Sequence, residues 1–352
     1  FAKARSKVAS TAMTGSTAPY PERLVTLVAG FRGARVAVLG DLVCDEFVHG
    51  DIARVSREAP VLILEQTRVD LVPGGGGNAV ANLRALGAIP VPVGVVGRDE
   101  AGARLLALFR RMGVETSGIA AERGYGTPTK SRVLAGGVHT RRQQIVRVDR
   151  GQRHGDLPGK AGARLSTRLG RALKGAEGLL VADYGYGAAT PARVRAVRAH
   201  VAGKTVTVDS RGRVSGFRRV AGCTPNQEEL ENAVGLSAAP DERRVVAAGQ
   251  ELLRLSGNRT VLVTRGAKGM ILFRKAVPPF TVPPFGSGEV ADVTGAGDTV
   301  IATYTLALLA GATPEQAAVI ANTAAGSVVM KYGTATVSPK ELTAALRTGK
   351  LA

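Results

Sequence analysis

The chain has no tryptophan, two cysteines, four histidines and only 4% aromatic residues in 352 positions. Its core must therefore be built from alanine, valine, leucine and glycine. Cys44 and Cys223 stand far apart, which argues against a disulfide framework or a zinc site and points to a reducing, cytoplasmic setting. No window of about 18 uncharged apolar residues occurs, so no membrane-spanning helix and no membrane partner are expected. Phe1 to Pro21 is basic and rich in Ser, Thr and Ala, but lacks the apolar stretch of a secretory signal; it reads as a loose tail. The sequence opens on Phe1, so an earlier start or processing is expected. No Gly-x4-Gly-Lys-Ser/Thr is present, which excludes a P-loop.

Acidic residues are also scarce, 28 against 47 Lys plus Arg, for a formal net charge of +19. The excess lies in residues 1–35, 139–174 and 193–219. Such clustering permits a basic surface for nucleic acid or anionic substrates. Solvated arginine-rich helix faces explain it as well. Aromatics are scarce in these stretches and no nucleic-acid motif accompanies them, so nucleic acid is not the expected partner.

From residue 160 onward, helical and strand-like segments alternate. Helices are expected at 160–174, 190–200 and 241–255, with strands at 178–182, 205–208, 220–224, 260–264 and 270–273. That order predicts a mainly parallel sheet covered by helices on both sides, a three-layer α/β/α sandwich. Earlier, Arg35 to Leu39 reads as a strand, and 79–86 and 101–112 read as helices. Residues 46–72 and 129–148 break the pattern with strands alone, the second pair turning at Gly136-Gly137. A small β-sheet standing off the main body as a lid accounts for both. Helices are expected again at 314–331 and from Pro339. Polar residues recur just after strands, at Asp41, Asp183, Asp209, Asn226 and Thr264, and would line one edge of the sheet. The run Gly74 to Gly77 sits between strand and helix, where backbone can approach a ligand.

The most informative stretch is Asp292-Val-Thr-Gly-Ala-Gly-Asp298-Thr-Val, followed by an apolar run to Leu309. Gly295, Ala296 and Gly297 allow a tight turn into a helix whose first N–H groups have no internal partners. Free amides and a helix dipole suit a phosphate, and Asp298 in the same turn can take a proton from an attacking hydroxyl. The third glycine of the dinucleotide fingerprint is missing. An ordinary glycine-capped helix start has the same residues, and the nonapeptide alone does not separate the two.

Taken with Gly74-Gly75 and Asn78, and with Asn226-x-x-Glu229, this stretch resembles the ribokinase-like (PfkB) sugar kinase family over about residues 33–348. Within it, several stretches are similar to the D-glycero-D-manno-heptose 7-phosphate kinases. They include Gly40-Asp41-x3-Asp45, Ser56-Arg-Glu-Ala-Pro60, Thr129-Lys130-x-Arg132, Gln143-Gln144-x-x-Arg147-Val-Asp149, Asp183-Tyr-Gly and Thr334-Ala-Thr-Val-Ser338. Tyr186 and Ser210-Arg211 depart from that group, which usually has Lys and Pro-Lys there. Members of that group are often fused to a nucleotidyltransferase domain.

The resemblance implies ATP-dependent phosphorylation of a sugar hydroxyl, here the anomeric one of a heptose 7-phosphate; a kinase for another sugar, sugar phosphate or nucleoside is one alternative, and a basic kinase-like protein that binds nucleic acid is the other. It implies Asp298 as general base and the amides of Gly295, Ala296 and Gly297 as charge stabilisers. Asp41, Asp45, Gly74, Gly75 and Asn78 would hold the sugar, and Lys130, Arg132 or Arg147 its phosphate. Asn226 and Glu229 would organise Mg²⁺ through water, Thr264, Gly266 and Asn322 would lie near the nucleotide, and Asp292 with Gly333 would hold a monovalent cation such as K⁺. Residues 1–32 are expected as a basic tail with a short helix. Residues 33–348 are expected as the kinase domain, with lid segments at about 46–72 and 125–149 that pair subunits into a homodimer.

Overall fold

Valine- and leucine-rich runs bounded by glycine or polar residues become strands, and the longer segments of helical period cover them. The computed structural model describes residues 20–136, 143–151, 157, 159–236, 241–286, 291–331 and 333–349. The expected tail up to residue 19, the turn at Gly137 and Tyr332 lie outside the described residues.

The first part of the chain runs α1 (Tyr20–Ala29), β1 (Arg35–Gly40), β2 (Leu42–Val55), β3 (Leu62–Gly75), α2 (Gly76–Ala85), β4 (Ile89–Gly97) and α3 (Glu100–Arg111). Next come β5 (Ile119–Glu122), β6 (Thr129–Gly136), β7 (Gln143–Arg150), α4 (Gly159–Lys174), β8 (Gly178–Asp183), α5 (Pro191–Ala196) and α6 (Arg198–Val201). Then follow β9 (Thr205–Ser210), β10 (Gly222–Cys223), α7 (Gln227–Val234), α8 (Glu242–Ser256), β11 (Thr260–Thr264), β12 (Met270–Arg274) and β13 (Val277–Val282). Three helices close the chain: α9 (Ala296–Leu309), α10 (Pro314–Val328) and α11 (Pro339–Thr348).

Nine strands form one sheet in the order β13-β12-β11-β10-β9-β8-β1-β4-β5. The pairings from β5 across to β11 are parallel; β12 and β13 add an antiparallel edge. One face packs on α1, α2, α3, α9, α10 and α11, around Leu83, Phe109, Ile301 and Tyr304. The other packs on α4 and α8 with Val197 and Leu230, around Leu165, Leu169 and Leu252. The three-layer α/β/α sandwich expected from the alternation is the fold. A second sheet, β3-β2-β6-β7, carries antiparallel β2–β3 and β6–β7 pairs around a parallel β2–β6 pair.

Four differences from the sequence reading have physical reasons. The helix expected at 190–200 breaks at Val197, whose φ of −104° and ψ of 17° leave the helical region. Strand β4 was not legible because Pro90 and Pro92 remove two donors. The structure tolerates them because β5 pairs with residues 94–97 only, leaving one side of 90–92 free of a strand partner. The helix expected at 79–86 starts earlier: α2 begins at Gly76, because the glycines let it pack directly against the sheet, and is buried from Gly76 through Leu83. The run Gly74 to Gly77 is not a loop, since β3 passes straight into α2 at Gly75, whose φ is +54°. A Cβ at Gly76 would sit 2.8 Å from Gly40 Cα, so this glycine admits the protein's own backbone and not a ligand.

Candidate active site

Gly295 caps α9 at a φ of +81°, and the turn it makes puts Asp298 in the first turn of a helix whose residues 298–307 are all buried. The Asp298 carboxylate is 4% exposed. Asn78 Nδ2 donates to its Oδ2 at 2.9 Å and the Tyr184 hydroxyl donates to its Oδ1 at 2.6 Å. Burial pushes its pKa up to about 6, with Tyr184 and Asn78 pulling the other way, Asp45 adding to the rise and Arg211 opposing it. A carboxylate with neutral donors, poised near physiological pH, is the electrostatic profile of a general base. Asn78 is itself held: Asn82 Nδ2 donates to Asn78 Oδ1 at 3.2 Å, and Thr299 Oγ1 donates to Asn82 Oδ1 at 2.9 Å. The four-residue spacing of Asn78 and Asn82 stacks them on one side of α2.

Asp298 opens into a cleft of about 300 Å³. Its cationic side is made by Lys130, Arg132, Arg147 and Arg211. Arg132 Nη1 is bound to Asp45 Oδ1 at 2.9 Å, and Arg147 is bound to Asp149 by two hydrogen bonds. Lys130 and Arg211 instead stack on the Tyr184 ring, 5.1 and 4.7 Å from its centroid. Burial lowers the Lys130 pKa and neighbouring Arg211 lowers it further, against the pull of Asp45. An anion placed there would relieve both effects.

The opposite side holds the polar ends of three strands: Asp209, Asn226 with Glu229, and Thr264. Asn226 caps α7, accepting from Glu229 N at 2.8 Å, while Glu229 Oε2 accepts from Asn226 N at 2.9 Å. Asp209 is pushed well above the ordinary carboxylate range by burial and by the charges of Glu229 and Asp298. Glu229 is raised by burial too, with the Asn226 amide and Arg211 opposing. No group of three His, Cys, Asp or Glu among the described residues is placed to grip a metal directly. Two carboxylates, both held above their ordinary range, beside a polar cleft fit Mg²⁺ held through its own waters. A Cβ at Gly297 would meet nothing within 4 Å, so the backbone at the start of α9 is open to a phosphate.

Of the expected residues, the cleft brings together Asp45, Gly75, Lys130, Arg132, Arg147, Asn226, Glu229, Thr264, Gly295, Gly297 and Asp298. Asn78 reaches Asp298 from α2. Gly74 contributes by absence: a Cβ there would lie 2.4 Å from Asp45 Oδ2. Asp41 is a correction. It is fully buried, and its two oxygens accept four backbone N–H groups, from Tyr184, Tyr186, Ala188 and Ala189, at 2.8 to 3.3 Å. Its lone pairs are used, so it shapes the loop behind Tyr184 and has none left for a sugar hydroxyl. Gly266 and Asn322 are not among the residues that line the cleft. Asn322 Nδ2 donates instead to Pro283 O at 2.8 Å. Asp292 accepts from Thr294 N at 2.8 Å and from Gly333 N at 3.1 Å, which brings the expected Asp292–Gly333 pair together.

Sequence reasoning missed Tyr184 and the Asn82–Thr299 support. Tyr184 lay inside the Asp183-Tyr-Gly motif, and Arg211 appeared there only as a departure. Tyr186, the other departure, is 3% exposed and is not among the cleft-lining residues.

The two glycines of the turn should respond differently to alanine. At Gly295 a Cβ would come within 2.4 Å of Asn78 Nδ2 at a left-handed φ. We expect Gly295→Ala to cost about 1–2 kcal/mol in folding and to lower kcat by about 10- to 100-fold by displacing Asn78. Gly297→Ala should keep its melting temperature and raise KM for a substrate whose phosphate sits at the start of α9. Thermal melts with steady-state kinetics check both.

A family model described as pfkB family carbohydrate kinase matches residues 35–152 and 198–341. The bifunctional protein HldE of Mesorhizobium japonicum is 42% identical over 336 residues, covering 93% of this chain and 65% of that protein. Its counterpart in Paramagnetospirillum magneticum is 42% identical over 329 residues, with 92% and 65% covered. The chain thus spans about two thirds of the length of these relatives. Among solved structures, Arabidopsis thaliana ribokinase complexed with ribose and ATP superposes with a TM-score of 0.69 at 19% identity, covering 90% of this chain and 99% of that one. Escherichia coli phosphofructokinase-2 in complex with substrates and products gives 0.69 at 20%, covering 89% and 99%. With its motifs, its fold and these matches in agreement, the chain belongs to the pfkB family of carbohydrate kinases.

Proposed function

We propose that this kinase transfers the terminal phosphoryl group of ATP to the anomeric hydroxyl of D-glycero-D-manno-heptose 7-phosphate. The observation that carries the reading is Asp298, a buried carboxylate with two neutral donors at the open start of α9. Asp298 takes the proton of the attacking hydroxyl. The amides at the start of α9 receive the charge that develops on the transferring group, and Thr264 borders the nucleotide. Phosphoryl transfer asks a protein mainly for such positioning and electrostatics. Bound near Asn226 and Glu229, Mg²⁺ would neutralise charge on the ATP phosphates. Asp45 contacts the sugar, and Lys130 with Arg211 faces its 7-phosphate. The heptose assignment rests on the motifs at 40–45, 56–60, 129–132 and 143–149.

The test is ADP release with Mg-ATP and a panel of sugars and sugar phosphates. Turnover confined to the heptose 7-phosphate supports the assignment; preference for another sugar moves the substrate and leaves the chemistry. Because Asp298 must be ionised and its pKa is pushed up to about 6, kcat/KM should rise with pH through about 6 and then level. A flat profile between pH 5 and 7 would remove Asp298 from that role.

The same reading makes β2, β3, β6 and β7 a lid over the sugar. Its exposed Val55, Val61, Ile145, Val146 and Val148 suit a second copy of the chain. Sedimentation at two concentrations tests for that dimer. A monovalent cation at Asp292 and Gly333 completes the reading; exchange of K⁺ for Na⁺ should lower turnover. Among the described residues no helix is long and apolar enough to cross a membrane, and a cytoplasmic setting, where ATP is supplied, belongs to the same proposal.

A further inference from the structure

We propose that Tyr184 is the positioning residue of this active site, its hydroxyl holding the Asp298 carboxylate aimed and ionised while two cations back its ring. The proposal deepens the kinase reading and rests on it.

Three observations converge. The Tyr184 hydroxyl is 2.6 Å from Asp298 Oδ1, and it is the hydrogen-bond donor to that oxygen; Asn78 serves only Oδ2. The loop that carries Tyr184 is pinned by Asp41, which accepts from the backbone at both ends of residues 184–189. Arg211 and Lys130 lie over the Tyr184 ring. Positive charge on a phenol face draws electron density from the hydroxyl and makes it a better donor.

The charges around Asp298 show why a donor is needed. Asp45 on β2 favours its protonated form, and Asp209 on β9 interacts with its charge. Arg211, beyond β9, opposes Asp45, and both it and Lys130 of β6 stack on Tyr184. The phenol itself is raised well above its ordinary range by burial and by the Asp298 charge, so it stays an O–H donor wherever the enzyme works. Removing that hydroxyl leaves Asp298 Oδ1 facing apolar ring carbon, with a single neutral donor on the other oxygen.

The experiment compares wild type with Tyr184→Phe, which keeps the ring and its stacked cations. Two readouts are taken: the acidic limb of the kcat/KM profile, and the Asp298 carboxyl titration by NMR with ¹³Cγ-labelled aspartate, assigned by Asp298→Asn. We expect both to move up by about one pH unit, so that the shift alone lowers activity about fivefold at pH 6, while the loss of aim costs about threefold or less at pH 9. A limb and titration that stay in place overturn the proposal. If melting shows that Tyr184→Phe does not fold, a fluorinated tyrosine at 184, a stronger donor of similar shape, should move both readouts down; no movement overturns it. If wild type turns over no sugar, the kinase reading fails, while the carboxyl titration still decides the role of Tyr184.

Discussion

Asp298→Asn should lower kcat by about 10²- to 10⁴-fold with little change in KM, measured by ADP release. The asparagine side chain has the shape of aspartate and can accept from Asn78 while its amide donates to the Tyr184 oxygen. The site is thus preserved and only the proton acceptor is lost. The same substitution should raise the melting temperature at pH 7. Burial raises the folded-state pKa of Asp298 to about 6, above the value of an unfolded aspartate, so the folded state binds the proton more tightly. Stability linked to this group is therefore complete below about pH 4, and falls as pH rises to about 6, by about 3 kcal/mol. The variant should not show that fall. A variant that melts below wild type at pH 7, or that keeps near-normal kcat, would contradict the assignment.

Asp41→Ala should cost more in folding than any other single change at the site. It strips the acceptor from four buried backbone N–H groups, each costing about 1–3 kcal/mol when left without a partner. We expect a loss of at least about 3 kcal/mol, visible as insoluble protein or a steep drop in melting temperature. Asp41→Asn is the more instructive variant. Its one carbonyl oxygen serves two of the four N–H groups, and its own amide faces the other two, donor against donor. It should fold with a lower melting temperature and lose about tenfold or more in kcat, because Tyr184 no longer meets Asp298. Full activity in Asp41→Asn would show that the loop at 184–189 holds its shape without the carboxylate.

Much of the sandwich was legible because its signals are local. Strands β8, β9, β11 and β12 are short apolar runs closed by polar or glycine residues, and each was expected within a residue or two of its place. The position of Asp298 was legible for the same reason, since Gly295 and Gly297 announce the turn that presents it. What escaped depends on residues far apart in sequence. Tyr184 meets Asp298 across 114 positions, and no spacing rule connects them. Asp41 looked like a ligand for sugar because a carboxylate after a strand can serve either a substrate or backbone amides; only the course of the 184–189 loop decides. Glycine carries a similar ambiguity. Gly297 opens the chain to a ligand, whereas Gly76 opens it to Gly40, and both read alike as missing side chains.

The junction between the two sheets has a consequence for how such enzymes can be recombined. Strand β1 becomes β2 across Asp41 alone, and β3 becomes α2 with no residue between them. The β2–β3 half of the small sheet therefore has no spacer at which it could be exchanged without also replacing Asp41, Gly75 or the approach to Asn78. A graft of that sheet from another sugar kinase would carry its own anchor for the Tyr184 loop and its own path to the base. On the proposed reading, the sugar contacts and the aim of Asp298 are therefore inherited as one block, and chimeras cut at this junction should lose both together.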